Sequence, residues 1–276
     1  MKQFISKSVI FILAATVLFH IKPLYLLYND RYQHVVAGDE IYYAIKKSKS
    51  KNKSKKIIFG DSVGRQLFDS KTNHDTINSL ASNQAISMAG HFILLNNYLN
   101  SGNQVDTVYF IFRPITFQNN LNQVYTYHYF LKPFYKKEYY QYFTNTVKEQ
   151  VSKVPYNKFC RYPSVLTSNW APEFVPEDED KQSFLSPISI EYLKKIKELA
   201  VKHNFKLIIL PTPMNLFFKK EIEGLDKSGI EKNGLGNEFK NYFENIIYLD
   251  NNKFFDSSHL LDPLVYTEYY KKKFIR

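Results

Sequence analysis

The run Ile57-Ile58-Phe59, closed by Gly60, constrains this chain more than any other feature. It is apolar on consecutive residues, so it reads as a strand buried on both faces, the pattern of a parallel sheet. Gly60 then permits a sharp turn at the strand's carboxyl end. The stretch Thr107–Phe112, closed by Pro114, is also strand-like. Leu207–Leu210 is another, stopped by Pro211-Thr212-Pro213, and Thr76–Leu80 and Ile246–Leu249 add two more. Helical stretches fall between them. One follows Ser62, and one runs from Met88 to Leu99 behind a capping Ser87, ended by Ser101-Gly102. Another covers Ser189–His203, where Ile190, Leu193, Ile196 and Leu199 recur at helical spacing, and a last one spans Leu264–Phe274. Strands alternating with helices predict an α/β fold, a parallel sheet flanked by helices.

At 276 residues the chain fits one domain with ample length for a core. The amino terminus is expected to lie outside that domain. Lys2 and Lys7 precede an apolar run from Val9 to Phe19 that continues, broken by His20, Lys22 and Pro23, to Tyr28. Residues 1–28 therefore read as a signal anchor or transmembrane helix, with a cleaved signal peptide as the alternative. The preceding basic residues predict a cytoplasmic start and an exported body. Residues 29–54 read as a stalk and linker that carries the serine-interleaved lysines Lys46, Lys47, Lys49, Lys51, Lys53, Lys55 and Lys56 into the domain at 55–276. Much of the formal charge of +11 sits in this run, which suits a solvated linker or attraction to anionic head groups. No recognition motif accompanies it, so nucleic acid is not an expected partner. The single cysteine, Cys160, excludes an internal disulfide and a multi-cysteine metal site. His74, His91 and His203 lack companions at ligand spacing, so no metal site is expected.

Two short motifs carry chemistry. Gly60-Asp61-Ser62 places a serine at the carboxyl edge of the sheet, where open α/β folds bind ligands. Asp256-Ser257-Ser258-His259, near the other end, supplies a base and a group to orient it. In type and chain order this pair of motifs resembles the SGNH hydrolase superfamily, the GDSL-type esterases. The resemblance implies a three-layer α/β/α flavodoxin-like fold behind the amino-terminal transmembrane helix. It also implies Ser62 as nucleophile, His259 as general base and acid, Asp256 as its orienting carboxylate, the Ser62 N–H as an oxyanion donor, and no cofactor.

The middle motifs of that family match loosely. Gly90 stands near the glycine of its second block; the N–H of Ser87 or Met88 offers an alternative donor, and Asn83 a brace for the nucleophile loop, although Ser87 reads equally as a plain helix cap. The family's third-block asparagine is absent after Phe112, where this chain has Arg113. Arg113, Asn119 or Asn120 are candidates to replace it, with a structural ion pair the other reading of Arg113. Such departures resemble the membrane-anchored branch that acts in O-acetylation of exported polysaccharides and in D-alanine transfer to teichoic acids. That branch implies an acylated cell-envelope glycan and an acyl donor as partners, with a membrane-bound donor protein among them, and either transferase or esterase outcome. The alternative is a catalytically weak or inactive glycan-binding or assembly protein on the same fold, and a lipid esterase is a third reading. Residues 117–182 break the strand–helix rhythm and read as an aromatic insertion over the sheet's carboxyl face. Tyr125, Tyr127, Tyr129 and Trp170 suit either a sugar platform or ordinary core. His128 reads as a packed or surface residue, and Thr212 and Asn215 as parts of a rigid turn or as substrate contacts.

Overall fold

The computed structural model describes residues 2–20, 39–71, 76–123, 126–153 and 183–275. Two helices, α1 (Lys2–His20) and α2 (Asp39–Ser48), precede the first strand. Strand β1 (Lys56–Gly60) leads into the short helix α3 (Ser62–Leu67), then β2 (Ile77–Ser79) and α4 (Ser87–Asn100). Next come β3 (Thr107–Phe112), α5 (Pro114–Gln118), α6 (Asn145–Lys153) and α7 (Pro187–His203). The chain closes with β4 (Lys206–Pro211), β5 (Met214–Asn215), α8 (Lys219–Glu223), β6 (Tyr248–Leu249) and α9 (Pro263–Lys273). Four strands form an all-parallel sheet in the order β2-β1-β3-β4, as expected of an α/β fold. The expected last strand pairs elsewhere, in a two-stranded parallel ladder of β6 with β5.

Consecutive residues of the central strands face opposite ways, and each face buries its set. Ile57, Phe59, Val108, Phe110 and Phe112 enter a core shared with α2, α4 and α7. Ile58, Tyr109 and Ile111 enter a second core with Val63 and Leu67 of α3 and Tyr270 of α9. Each large side chain so buried contributes about 1.5–3 kcal/mol. The aromatic stretch is core where it is described: Phe130, Phe134, Tyr139 and Phe143 are buried, and Tyr129 packs against them. Tyr125 and Trp170 lie outside the described residues, as does Cys160, and the Tyr127 and His128 side chains do too.

Part of the expected stalk and linker is docked on the domain. Helix α2 buries Ile41 and Ala44 against α4. The Lys47 Nζ donates to the Ser70 carbonyl at 2.7 Å, while Lys49 pairs with Glu138 and Lys55 with Asp106, each at 3.5 Å. The lysine charge therefore meets partners on the domain that the local sequence does not reveal. Helix α1 is different. Phe4, Ile10, Phe11, Ile12, Leu13 and Val17 are each at least 60 % exposed. No helix among the described residues is long and apolar enough to cross a membrane, and positions 21–28 of the expected span lie outside them.

Candidate active site

Ser62 is the first residue of α3, and the residue before it sets the turn. Asp61 caps the helix: its Oδ1 accepts the N–H groups of Val63 and Gly64, each at 3.0 Å. Its Oδ2 accepts the Arg113 N–H at 2.8 Å and the Thr116 hydroxyl at 2.7 Å. The helix also sits unusually close to the sheet. A Cβ on Gly64 would stand 2.5 Å from the Ile111 carbonyl oxygen, and one on Gly60 would stand 2.9 Å from the Gly64 backbone. The glycine that ends β1 is therefore required by close packing; its φ is not positive. Ser62 itself is 8 % exposed, and among the described residues neither its hydroxyl nor its N–H has a hydrogen-bond partner.

The other motif folds as a tight loop on the same side of the sheet. Asp256 Oδ1 accepts the N–H groups of Ser258 and His259, each at 2.7 Å, and Asp256 Oδ2 lies 2.8 Å from His259 Nδ1. Burial raises the Asp256 carboxyl, but its hydrogen bonds from the His259 ring, the His259 N–H and the Ser258 N–H outweigh that and bring it down to about 2. The imidazole stacks on Phe255 with ring centroids 5.4 Å apart. A carboxylate on Nδ1 leaves Nε2 as the free nitrogen, the arrangement of a general base. The sequence carries no signal of what ties this loop to Ser62. Gln66 Oε1 accepts the Leu260 N–H at 2.9 Å, and Gln66 Nε2 donates to the Leu260 carbonyl at 3.3 Å. Gln66 lies one helical turn after Ser62, on the same face of α3, so the clamp ties the loop that carries His259 to the helix that carries Ser62. Asp256 and His259 are thus brought together, whereas no hydrogen bond joins His259 to Ser62.

The middle candidates divide. Arg113 makes the structural ion pair that is one of its two readings. Its Nε lies 3.6 Å from Asp61 Oδ2, its Nη2 donates to Gln84 Oε1 at 2.5 Å, and its side chain lines a cavity shared with Ser258. Gln84, another residue missed, is a hub: its carbonyl accepts Asn119 Nδ2 at 2.6 Å, and its Nε2 meets Gln123 Oε1 at 3.4 Å. The Asn119 side chain makes this brace through Nδ2 and accepts the Leu121 N–H through Oδ1, at 2.8 Å. Asn120 is 4 % exposed with its Oδ1 unpartnered. Asn83 caps the turn that follows it by accepting the Ala85 N–H at 2.9 Å. Ser87 opens α4 at φ 53°, its N–H spent on the Gln84 carbonyl and its Oγ accepting the Ala89 N–H at 3.2 Å. Gly90 stands a turn inside α4, where its N–H closes onto the helix's own start and a Cβ would meet Ile86 Cβ at 2.7 Å. Its role is packing, not the oxyanion donation expected of it. Asn215 accepts the Phe217 N–H and donates to Asn251, as a rigid turn does.

His91 lies beside this machinery and outside it. It is fully buried among Phe59, Phe110 and Phe112, and both ring nitrogens are unpartnered. Burial holds it neutral, driving its pKa down to about 3 against the pull of the Asp61 charge. No cluster of three metal-ligating side chains exists among the described residues. No protein-family model, curated protein or solved structure matches the chain.

Proposed function

We propose that the domain is an SGNH-like serine acyl-enzyme acting on O-acyl esters of a cell-envelope polysaccharide, as esterase or O-acyltransferase. The observation that carries this reading is the Asp256–His259 pair, bonded at 2.8 Å and clamped by Gln66 to the helix that begins with Ser62. In the first half-reaction His259 Nε2 takes the Ser62 proton while Oγ bonds to the acyl carbon. The tetrahedral oxyanion is received by the Ser62 N–H, and Arg113, 3.6 Å from Asp61, is a cation beside that turn. Collapse breaks the ester C–O bond, and His259 returns the proton to the departing hydroxyl. The second half repeats these steps with water or a sugar hydroxyl as the attacking group. No cofactor takes part.

Exposed apolar side chains along α1, behind Lys2 and Lys7, support attachment to a membrane with the domain exported. The test is turnover of acetyl esters, small and glycan-borne, by the full chain and by Ser62→Ala. Loss of all turnover in the variant is expected; full activity in it would sink the proposal. A second reading, a non-catalytic glycan-binding module, is favoured by the open His259–Ser62 contact. It predicts glycan binding that Ser62→Ala and His259→Ala leave intact, with no turnover in either form or in the parent.

A further inference from the structure

We propose that Phe255 is a positioning residue for His259: its ring holds the imidazole by the face and stabilises the positive charge that the imidazole takes up. The inference rests on the acyl-enzyme reading for the source of that proton, Ser62, and adds a residue that neither motif contains. Backbone pairing brings the two rings together. Phe254 bridges Leu260 in antiparallel register, and the Phe255 N–H donates to the His259 carbonyl at 3.0 Å. Phe254 and Leu260 are buried, so their neighbours Phe255 and His259 face outward. There the rings stack at an interplanar angle of 18° with centroids 5.4 Å apart. Phe255 is 64 % exposed and lies outside both cores, so its described ring contact is this stack and not core packing.

Two different contacts then fix the imidazole. Asp256 Oδ2 meets it at the Nδ1 edge, 2.8 Å away, and Phe255 meets it at the face. An edge contact alone leaves the ring free to rock about that bond; a face contact stops the rocking and keeps Nε2 aimed. The face contact also acts on charge. A phenyl face carries negative charge density, so it attracts an imidazolium more than a neutral imidazole. Among the described residues Asp256 is the charged group bonded to the ring, while Lys253 and Asp262, at the two ends of the hairpin, make no ion pair with it. Helix α3 reaches the loop through the neutral Gln66, and Arg113 is held on Asp61. Phe255 also withholds water from one ring face, which opposes charging. The loop lies on the surface, so that opposing effect is the smaller.

The experiment follows the His259 imidazole by proton NMR in the full chain as pH is varied, its resonances assigned by their loss in His259→Gln. Phe255→Leu keeps an apolar cover without the ring, and Phe255→Tyr keeps the ring. Neither change touches the core, so folding is not at stake. The titration midpoint is expected to fall by about 0.4–0.7 pH units in Phe255→Leu, the worth of an exposed cation–π contact, and to be restored in Phe255→Tyr. Turnover of acetyl esters is expected to follow: kcat falls about two- to fivefold in Phe255→Leu with KM held, and returns in Phe255→Tyr. A midpoint unchanged or raised in Phe255→Leu would overturn the role of Phe255 and leave the acyl-enzyme standing. A lowered midpoint with undiminished kcat would overturn its part in catalysis. A lowered midpoint with no turnover of any ester by the parent would overturn the acyl-enzyme and leave the charge-stabilising stack.

Discussion

Asp61 is fully buried and accepts four hydrogen bonds drawn from α3 and from the turn after β3, whereas the Asp256 side chain is 45 % exposed and bonds only within its own loop. The Ser62 half of the candidate site is therefore part of the core, with Gly60 and Gly64 pressing α3 onto the sheet. The Asp256–His259 half is mounted on the surface and reaches the core through Gln66 and the Leu260 backbone. On the proposed reading a rigidly held Ser62 and a lightly held His259 leave the Asp256–His259 bond made while the His259–Ser62 bond is not. Catalytic hydrogen bonds commonly tighten only when substrate is bound. On the proposed reading, stability and chemistry fall to different aspartates.

Substitutions can break that division. Asp256→Ala should lower turnover by about 10³- to 10⁴-fold, the scale of losing the group that orients a catalytic histidine, while urea unfolding moves by no more than about 1 kcal/mol. Asp61→Ala should do the reverse first. It strands four donors and leaves Arg113 buried without its carboxylate, a loss of about 3–5 kcal/mol in the same unfolding measurement. Equal effects of the two changes on stability would abolish the distinction.

The core side of the comparison also has a pH signature. The unfolded chain protonates His91 near its ordinary pKa of 6.5 and the folded chain only near 3, so the unfolded state binds more protons between those values. Stability from this source is complete above the upper value and is lost as pH falls toward the lower. Between pH 7 and pH 5 the loss should be about 2 kcal/mol, and His91→Phe should flatten that part of the profile. An unchanged profile in the variant would place the sensitivity elsewhere. Smallest of all is the clamp. Gln66→Ala should reduce kcat about tenfold with little change in unfolding, because it misplaces His259 without opening the core. A loss of stability with no loss of kcat would make Gln66 a structural residue only.

The strands were legible because burial on both faces leaves consecutive apolar residues. Ile57–Phe59, Thr107–Phe112 and Leu207–Leu210 became β1, β3 and β4 nearly to the residue. Helix α4 was legible from Ser87 and the Ser101-Gly102 stop, although Ser87 caps with a positive φ. The two chemical motifs could be read as residue types in order. Their connection could not, because Gln66 and Leu260 lie 194 positions apart and an amide on a short helix carries no pattern. The same holds for Gln84, which acts through its backbone carbonyl as much as its side chain. His91 offered no signal either, since a histidine among apolar helix residues looks the same whether packed or exposed. The lysine run misled in the opposite way, because a polar stretch does not show that α2 turns Ile41 and Ala44 inward.

The central claim is that His259 activates Ser62 across the gap between the rigid and the exposed halves. The rate of covalent labelling by a fluorophosphonate, with the modified residue mapped by mass spectrometry, tests it most directly. Labelling at Ser62 that falls about 10²- to 10⁴-fold in His259→Ala is the predicted result, the span expected for removing a general base. Equal labelling in both forms, or labelling at any residue other than Ser62, would contradict it.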